Sequence, residues 1–317
     1  MDESDMRPSV TTDVAPGTVD QHLLAAATVL YRPDPVVTLP MLQSLAARPR
    51  RIYVFINGPI EDTIVASLAS FPTVVIIRSA VNLGLGYALN AMLEHAVAEG
   101  TKHVLLLDQD ATIRPELPEQ IMAYAEAVDD SAGSLGPEPD AAFAPLLVPP
   151  PGEHYRKIRY SWRDTRGDVS YLPTCGTVIS TAAWTKVGPF RADYFIGVID
   201  VEWGFRARSL GYALRVVKQL QIQHRWGPAQ QGWTSIWPQV LRQSDERNYY
   251  HIRNTIDCLK QPHVPTGWKV RQSAVLSAQI ALLILVLLVG ARKRVLILRA
   301  VTDGVTGRLG SRDLPLS

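Results

Sequence analysis

The residues best suited to chemistry lie in His103-Val104-Leu105-Leu106-Leu107-Asp108-Gln109-Asp110, where an apolar run ends in two carboxylates one residue apart. Alternate residues of an extended chain point to the same side, so Asp108 and Asp110 can face one ligand. Two negative charges in a low-dielectric crevice are costly without a positive partner. A hard divalent cation shared with a phosphorylated ligand is the natural candidate. A solvated turn with helix-capping acids is the plainer alternative, and a D-x-D triplet alone favours it. The position directly after Leu105–Leu107 shifts the balance toward a site.

A second acidic pair, Asp200 and Glu202, lies in Phe195-Ile196-Gly197-Val198-Ile199-Asp200-Val201-Glu202-Trp203-Gly204-Phe205-Arg206. Apolar neighbours can raise the pKa of Asp200 and make it a general base. Helix N-capping by Asp200, with Glu202 in the first turn, is the structural alternative, and both roles can hold together. In Asn82-x-Gly84-x-Gly86-x-Ala88-x-Asn90 the small residues allow close approach. The approach is either by an anionic group at a helix N-terminus or by a packed helix and sheet. The spacing is not the dinucleotide fingerprint. His224, in His224-Arg225-Trp226-Gly227, gains chemical meaning only if it folds beside Asp110.

These residues need elements to hold them. Leu23–Leu30, Arg51–Ile56, Thr73–Arg78 and Val104–Leu107 read as strands, with helices over Val36–Ala47 and Leu85–Ala98. The β-α-β-α-β order predicts an α/β fold with a mostly parallel sheet and helices on both faces. Open sheets of this kind bind ligands at the carboxyl ends of their strands. Further on, Phe143–Val148, Tyr171–Ser180 and Gln219–His224 are strand candidates, and Thr181–Val187 starts a short helix.

The chain has 317 residues, 47% apolar and 20% charged, enough for one large domain with an appendage. A net charge of +2 leaves no nucleic-acid footprint. Two cysteines, Cys175 and Cys258, form neither a metal cluster nor a disulfide framework, which suits a reducing compartment. Three parts are expected: a mobile tail over 1–22, a catalytic unit over 23–230 and a helical region over 231–317. In the last, Ala274–Val289 is nearly all apolar, Lys269 and Arg271 precede it, and Arg292-Lys293-Arg294 follow it. At the lower limit of about 17 residues for a spanning helix, with basic residues on both sides, it is either a spanning helix or, avoiding translocated basic residues, an interfacial helix or re-entrant hairpin. A buried core helix is the alternative.

Taken in order, N-x-G-x-G-x-A-x-N, D-Q-D, Cys175-Gly176, Val187-Gly188-Pro189-Phe190, I-D-V-E-W-G-F-R and H-R-W-G resemble the family 2 inverting glycosyltransferases of the GT-A (Rossmann-like) fold. Within that family the likeness is to the bacterial rhamnosyltransferase branch. It spans roughly Ala25 to Gly227, and Arg247–Asn254 and Asp303–Gly310 continue it. The resemblance implies that Asp108, Asp110 and His224 hold Mg²⁺ or Mn²⁺ and the donor diphosphate, and that Asp200 is the catalytic base. It places Tyr31, Pro33, Asn57, Asn82, Gly84 and Gly86 around the nucleotide sugar. Cys175, Gly176, Glu202, Trp203 and Arg253 become acceptor contacts, and Arg247 and Arg253 are either contacts to a lipid diphosphate or, equally, ordinary surface arginines on a helix. One departure matters: Ile56 stands where the family usually has an aspartate for the base, leaving Asn57 as a substitute hydrogen-bonding group.

The implied reaction is metal-dependent transfer of a sugar, L-rhamnose from dTDP-rhamnose as the first choice, to a glycan acceptor on a lipid carrier. The implied location is the cytoplasmic face of the plasma membrane, at the membrane surface. A galactofuranosyl- or other hexosyltransferase of the same fold is the runner-up. A non-catalytic sugar-nucleotide-binding scaffold is a third reading, prompted by Ile56 and the short apolar segment.

Overall fold

The computed structural model of the chain describes residues 10–13, 23–46, 51–114, 116–130, 140–148, 167–223, 244–283 and 291–312. The strands are β1 (Val10–Asp13), β2 (Leu24–Leu30), β3 (Ile52–Asn57), β4 (Val74–Ser79), β5 (His103–Leu107), β6 (Asp140–Val148), β7 (Val178–Ser180) and β8 (Ala213–Gln223). The helices are α1 (Pro35–Ala46), α2 (Asp62–Ala69), α3 (Leu85–Ala98), α4 (Leu117–Asp130), α5 (Thr181–Val187), α6 (Ile199–Ser209), α7 (Asp245–Lys260), α8 (Thr266–Ala281) and α9 (Ala291–Thr306).

Among the described residues the strands form one sheet in the order β1-β4-β3-β2-β5-β7-β6-β8. β4, β3, β2 and β5 run parallel, as do β6 and β8, while β1 and β7 pair antiparallel with their neighbours. The mostly parallel α/β architecture matches the expectation from sequence. The central strands are buried on both faces because their side chains feed two cores. Ala25, Ala27, Tyr53, Phe55, Val104 and Leu106 pack with residues of α3, α5 and α6. Leu24, Ala26, Ile52, Val54, Leu105 and Leu107 pack with residues of α1, α2 and α4. The chain passes from β2 outward to β3 and β4, then returns through α3 to β5 on the other side of β2. The carboxyl ends of β2 and β5 therefore form a topological switch point, where ligands of such sheets bind.

Several elements differ from the sequence reading. Val10–Asp13, inside the expected mobile tail, adds an edge strand against β4. Tyr171–Ser180 is strand only over Val178–Ser180, since Pro173 and the positive φ of Gly176 (82°) interrupt it. β8 begins at Ala213, earlier than the expected Gln219, because Arg215, Lys218 and Gln219 mask the pattern. Helices α2 and α4 had not been singled out.

The C-terminal helices pack on the catalytic unit. Phe195, from the loop before α6, shares a core with Tyr249, Tyr250, Ile252, Leu276, Leu283, Leu296, Ile297 and Ala300. No helix among the described residues is long and apolar enough to cross a membrane. Residues 284–290 of the apolar run lie outside the described residues. α7 and α9 touch closely at Gly304, where an added Cβ would sit 2.8 Å from the Arg253 carbonyl oxygen. Gly304→Ala is expected to cost about 1–3 kcal/mol, read as an earlier but still single urea transition. A separate transition for the C-terminal helices would contradict their packing as part of one unit.

Candidate active site

Asp108, Gln109 and Asp110 follow β5 at the switch point, with Asp108 half-buried and Asp110 exposed. Gln109 joins the two strand ends. Its Oε1 accepts from the Tyr31 N–H at 2.9 Å, and its Nε2 donates to the Tyr31 carbonyl at 3.2 Å. The Thr38 hydroxyl donates to the Gln109 carbonyl at 3.1 Å. The middle residue of the D-Q-D triplet thus locks the loop after β2 onto the acidic pair. The Arg32 guanidinium lies over the Tyr31 ring, 5.2 Å from its centroid.

Asp200 sits in the first turn of α6, half-buried, and its Oδ1 accepts from the Val201 N–H at 2.9 Å. Its inner side adjoins a small cavity lined by Leu106, Leu172, Ile179, Phe190 and Trp203. Burial in these apolar surroundings, with the negative charge of Asp108 as a lesser contribution, pushes its pKa up to about 6; N–H groups of Val201 and Thr174 oppose the rise. The two acids are linked through one short segment: the Thr174 N–H serves Asp200, and Cys175 hydrogen-bonds Asp108. Burial first, and Asp108 second, raise the Cys175 pKa well above its usual value, so it is a thiol. Asp108 and Asp200, distant in sequence, lie near enough for the charge of Asp108 to act on Asp200.

The loop before Asp200 is held in an uncommon conformation. Among the described residues, the non-glycine residues with positive φ are Arg32 (48°), Phe195 (64°) and Val198 (64°), the last two just ahead of Asp200. Such conformations cost about 1–3 kcal/mol each and persist where surrounding contacts enforce them. The N-x-G-x-G-x-A-x-N segment supplies part of that enforcement. The Asn90 side chain takes both the N–H (2.8 Å) and the C=O (2.9 Å) of Phe190. The Leu85 N–H donates to the Phe195 carbonyl at 2.6 Å. A Cβ at Gly84 would meet the Phe195 oxygen at 2.6 Å, and one at Gly86 the Arg191 oxygen at 2.7 Å. Close packing is thus the reading the structure favours for Gly84 and Gly86.

The remaining expected site residues divide by exposure. Tyr31 is exposed, with Pro33 half-buried, beside Gln109. Asn82 accepts from the Gly84 N–H at 2.9 Å. Asn57 is buried and accepts from the Leu83 N–H at 2.7 Å, so its side chain serves the Asn82–Gly84 loop and does not replace the missing aspartate at Ile56. Several expected acceptor contacts have structural work instead. Gly176 is buried and donates to the Leu106 carbonyl at 2.7 Å. Glu202 is 1% exposed, with Arg206 (2.9 Å) and His263 (3.0 Å) on its oxygens. Trp203 is buried and donates to the Gly188 carbonyl at 3.0 Å. Arg253 is fully buried against backbone carbonyls, which removes it from any lipid diphosphate. Gln109, Asn90, Thr174 and Asn254 escaped the sequence reading; for Gln109, Asn90 and Asn254, lying inside recognised motifs was the available signal.

His224 lies outside the described residues. Its neighbour Gln223 accepts from the Thr112 N–H at 3.3 Å, two positions past Asp110. Among the described residues no three His, Cys, Asp or Glu side chains gather as a metal cage. The donor set still fits one kind of cation: two carboxylates at a cleft rim suit a hard ion that keeps waters and takes its other ligands from phosphates.

Residues 36–191 match the model of glycosyl transferase family 2. With this match and the fold described above, the chain is a family 2 glycosyltransferase of the GT-A fold. It is 23% identical over 251 residues to the dTDP-rhamnosyl transferase RfbF of Shigella flexneri, covering 78% of this chain and 83% of that one. It is 24% identical over 234 residues to an N-acetylglucosaminyl-diphospho-decaprenol L-rhamnosyltransferase of Mycobacterium tuberculosis, covering 64% of this chain and 76% of that one. Among solved structures, mannosyltransferase PcManGT of Pyrobaculum calidifontis with GDP-Man and Mn²⁺ aligns over 95% of this chain and 80% of its own, with a TM-score of 0.53 and 16% identity.

The raised pKa of Asp200 has a stability consequence. A carboxyl with a folded pKa above its unfolded value of about 3.9 holds its proton more tightly when folded. The penalty is absent below about pH 4, grows through about pH 6 and is complete above it. Asp200→Asn is expected to gain about 2 kcal/mol over wild type at pH 8 and nothing at pH 4. Thermal melts at the two pH values read this, and an equal difference at both would contradict the shift.

Proposed function

We propose that this glycosyltransferase transfers L-rhamnose from dTDP-rhamnose, with inversion, to a glycan acceptor carried on a polyprenyl lipid. The observation that carries the reaction type is the pairing of Asp200, with its raised pKa, and Asp108 across one crevice. The two rhamnosyltransferase relatives support the donor, and the decaprenol-linked acceptor in the name of one supports the acceptor class.

Asp200 accepts the proton of the acceptor hydroxyl as that oxygen attacks the anomeric carbon. The bond to the nucleoside diphosphate breaks on the opposite side, so the configuration inverts. Asp110 and Asp108, joined by His224, are the residues that would hold Mg²⁺ or Mn²⁺. Such an ion neutralises the charge gathering on the departing diphosphate. Tyr31, positioned by Gln109, borders the nucleotide. The PcManGT complex, with GDP-Man and Mn²⁺ on this fold, supports a nucleotide-sugar donor and a divalent cation as classes of ligand.

Asp200→Asn is expected to lower transfer by at least about 10³-fold while leaving dTDP-rhamnose binding within about threefold, by calorimetry with Mn²⁺ present. Equal loss of binding and transfer would contradict the base assignment. A preference for UDP-sugars over dTDP-rhamnose would favour the runner-up hexosyltransferase.

The same reading places the protein peripherally on the cytoplasmic face of the plasma membrane. The outer face of α9 supports this: Val295, Leu298 and Val305 are 64%, 59% and 63% exposed. Exposed Arg294, Arg299 and Arg308 flank them. Apolar residues flanked by basic ones suit an anionic lipid surface. Val295→Asp with Leu298→Asp is expected to abolish sedimentation with vesicles containing phosphatidylglycerol. Undiminished sedimentation of that double variant would remove α9 as the contact.

A further inference from the structure

The backbone carbonyls from Asp193 to Val198, just ahead of Asp200, are all engaged. Asp193 O accepts from the Gly310 N–H at 2.7 Å and from Arg253 Nη2 at 3.2 Å. Tyr194 O accepts from Arg253 Nη2 at 3.0 Å and Asn254 Nδ2 at 2.8 Å. Phe195 O takes the Leu85 N–H, and Val198 O takes the Glu202 N–H at 3.0 Å. Asn254 Nδ2 also reaches Ile196 O at 2.9 Å and Gly197 O at 3.0 Å. One amide group thus meets three carbonyls across the two strained residues Phe195 and Val198 and the glycine between them.

Arg253 is placed for this task by its surroundings. Its guanidinium lies over the rings of Tyr250 (4.7 Å) and Tyr249 (5.7 Å), and its Nη1 donates to Gly310 O at 2.6 Å. The Phe195 ring stacks on Tyr250 with centroids 4.8 Å apart. A fully buried arginine needs its donors satisfied. Here backbone oxygens of the Asp200 loop and the C-terminal segment do so alongside Asn254. The charge therefore has a fixed destination within the protein.

We propose that Arg253 and Asn254 of α7 are positioning residues for Asp200, acting through the Asp193–Val198 loop that they clamp. The proposal rests on the reading of Asp200 as the base. α3 holds one side of the loop through Leu85, Gly84 and Gly86, and α7 holds the other. Without the α7 contacts the strained φ values lose their enforcement. The start of α6 then relaxes, and Asp200 leaves its place opposite Asp108. A displacement near 1 Å at a reacting group costs about 10²-fold in rate.

The test compares Asn254→Ala with Lys260→Met, in the full chain. Lys260→Met removes the 2.8 Å hydrogen bond to the Gly304 carbonyl, which ties the end of α7 to α9 away from the loop. For Asn254→Ala, hydrogen exchange should quicken in peptides spanning 193–204. Its kcat for rhamnosyl transfer should fall about 10–100-fold, with the KM for dTDP-rhamnose within about twofold. Lys260→Met should lower Tm while leaving both readouts unchanged. Arg253→Lys, which keeps the charge but loses the planar fork, should resemble Asn254→Ala and serves as the second variant if that protein does not fold. A lowered Tm for Asn254→Ala with unchanged exchange and kcat would overturn the proposal, as would parallel loss of kcat and donor KM. If wild type transfers no sugar from any donor, the functional reading fails, while the exchange comparison still decides the clamp.

Discussion

A buried carboxylate near a second carboxylate must be held there by something other than its own charge. Repulsion and desolvation both favour moving Asp200 outward or protonating it. In this protein the opposing restraint is backbone hydrogen bonding to the Asp193–Val198 loop. Carbonyls that would otherwise turn toward water are taken by donors from α3, α7 and the segment after α9. The positive φ of Phe195 and Val198 is the conformational cost of that arrangement, and the tight glycine contacts at positions 84 and 86 make it sterically possible.

The same constraint explains why distant parts of the chain share one fold. The sheet brings the ends of β2 and β5 together at the switch point, and Gln109 ties them. The 174–175 segment then meets Asp200 and Asp108 on their shared side. The C-terminal helices close the assembly from behind. Their buried residues pack against the loop ahead of Asp200, while Val295, Leu298 and Val305 of α9 are exposed.

The strands around the switch point were legible because their burial on both faces leaves plain apolar runs, and α3 was bounded by Gly84 and Gly100. Asp108 and Asp200 were legible as acids at the ends of such runs. The partners of Gly84, Gly86, Glu202 and Arg253 were not, since each depends on a contact across a large sequence separation. Arg253 illustrates the difficulty. An arginine on a helix reads as a surface charge, and only the fold shows Tyr249, Tyr250 and three backbone carbonyls around it. Asn57 misled for a similar reason: its polarity suggested a ligand, whereas the Asn82–Gly84 loop is what it holds. β8 was shortened in the sequence reading because Arg215 interrupts it, and the ion pairs of Arg215 with Asp140 and Asp168 are invisible without the fold.

With Asp200 as the base, transfer is a single displacement in which Asp200 activates the acceptor opposite a departing nucleoside diphosphate. The stereochemistry of the new glycosidic bond tests it most directly. NMR of the product formed from dTDP-rhamnose of known anomeric configuration should show the opposite configuration at the transferred carbon. Retention of the donor's configuration would contradict the account.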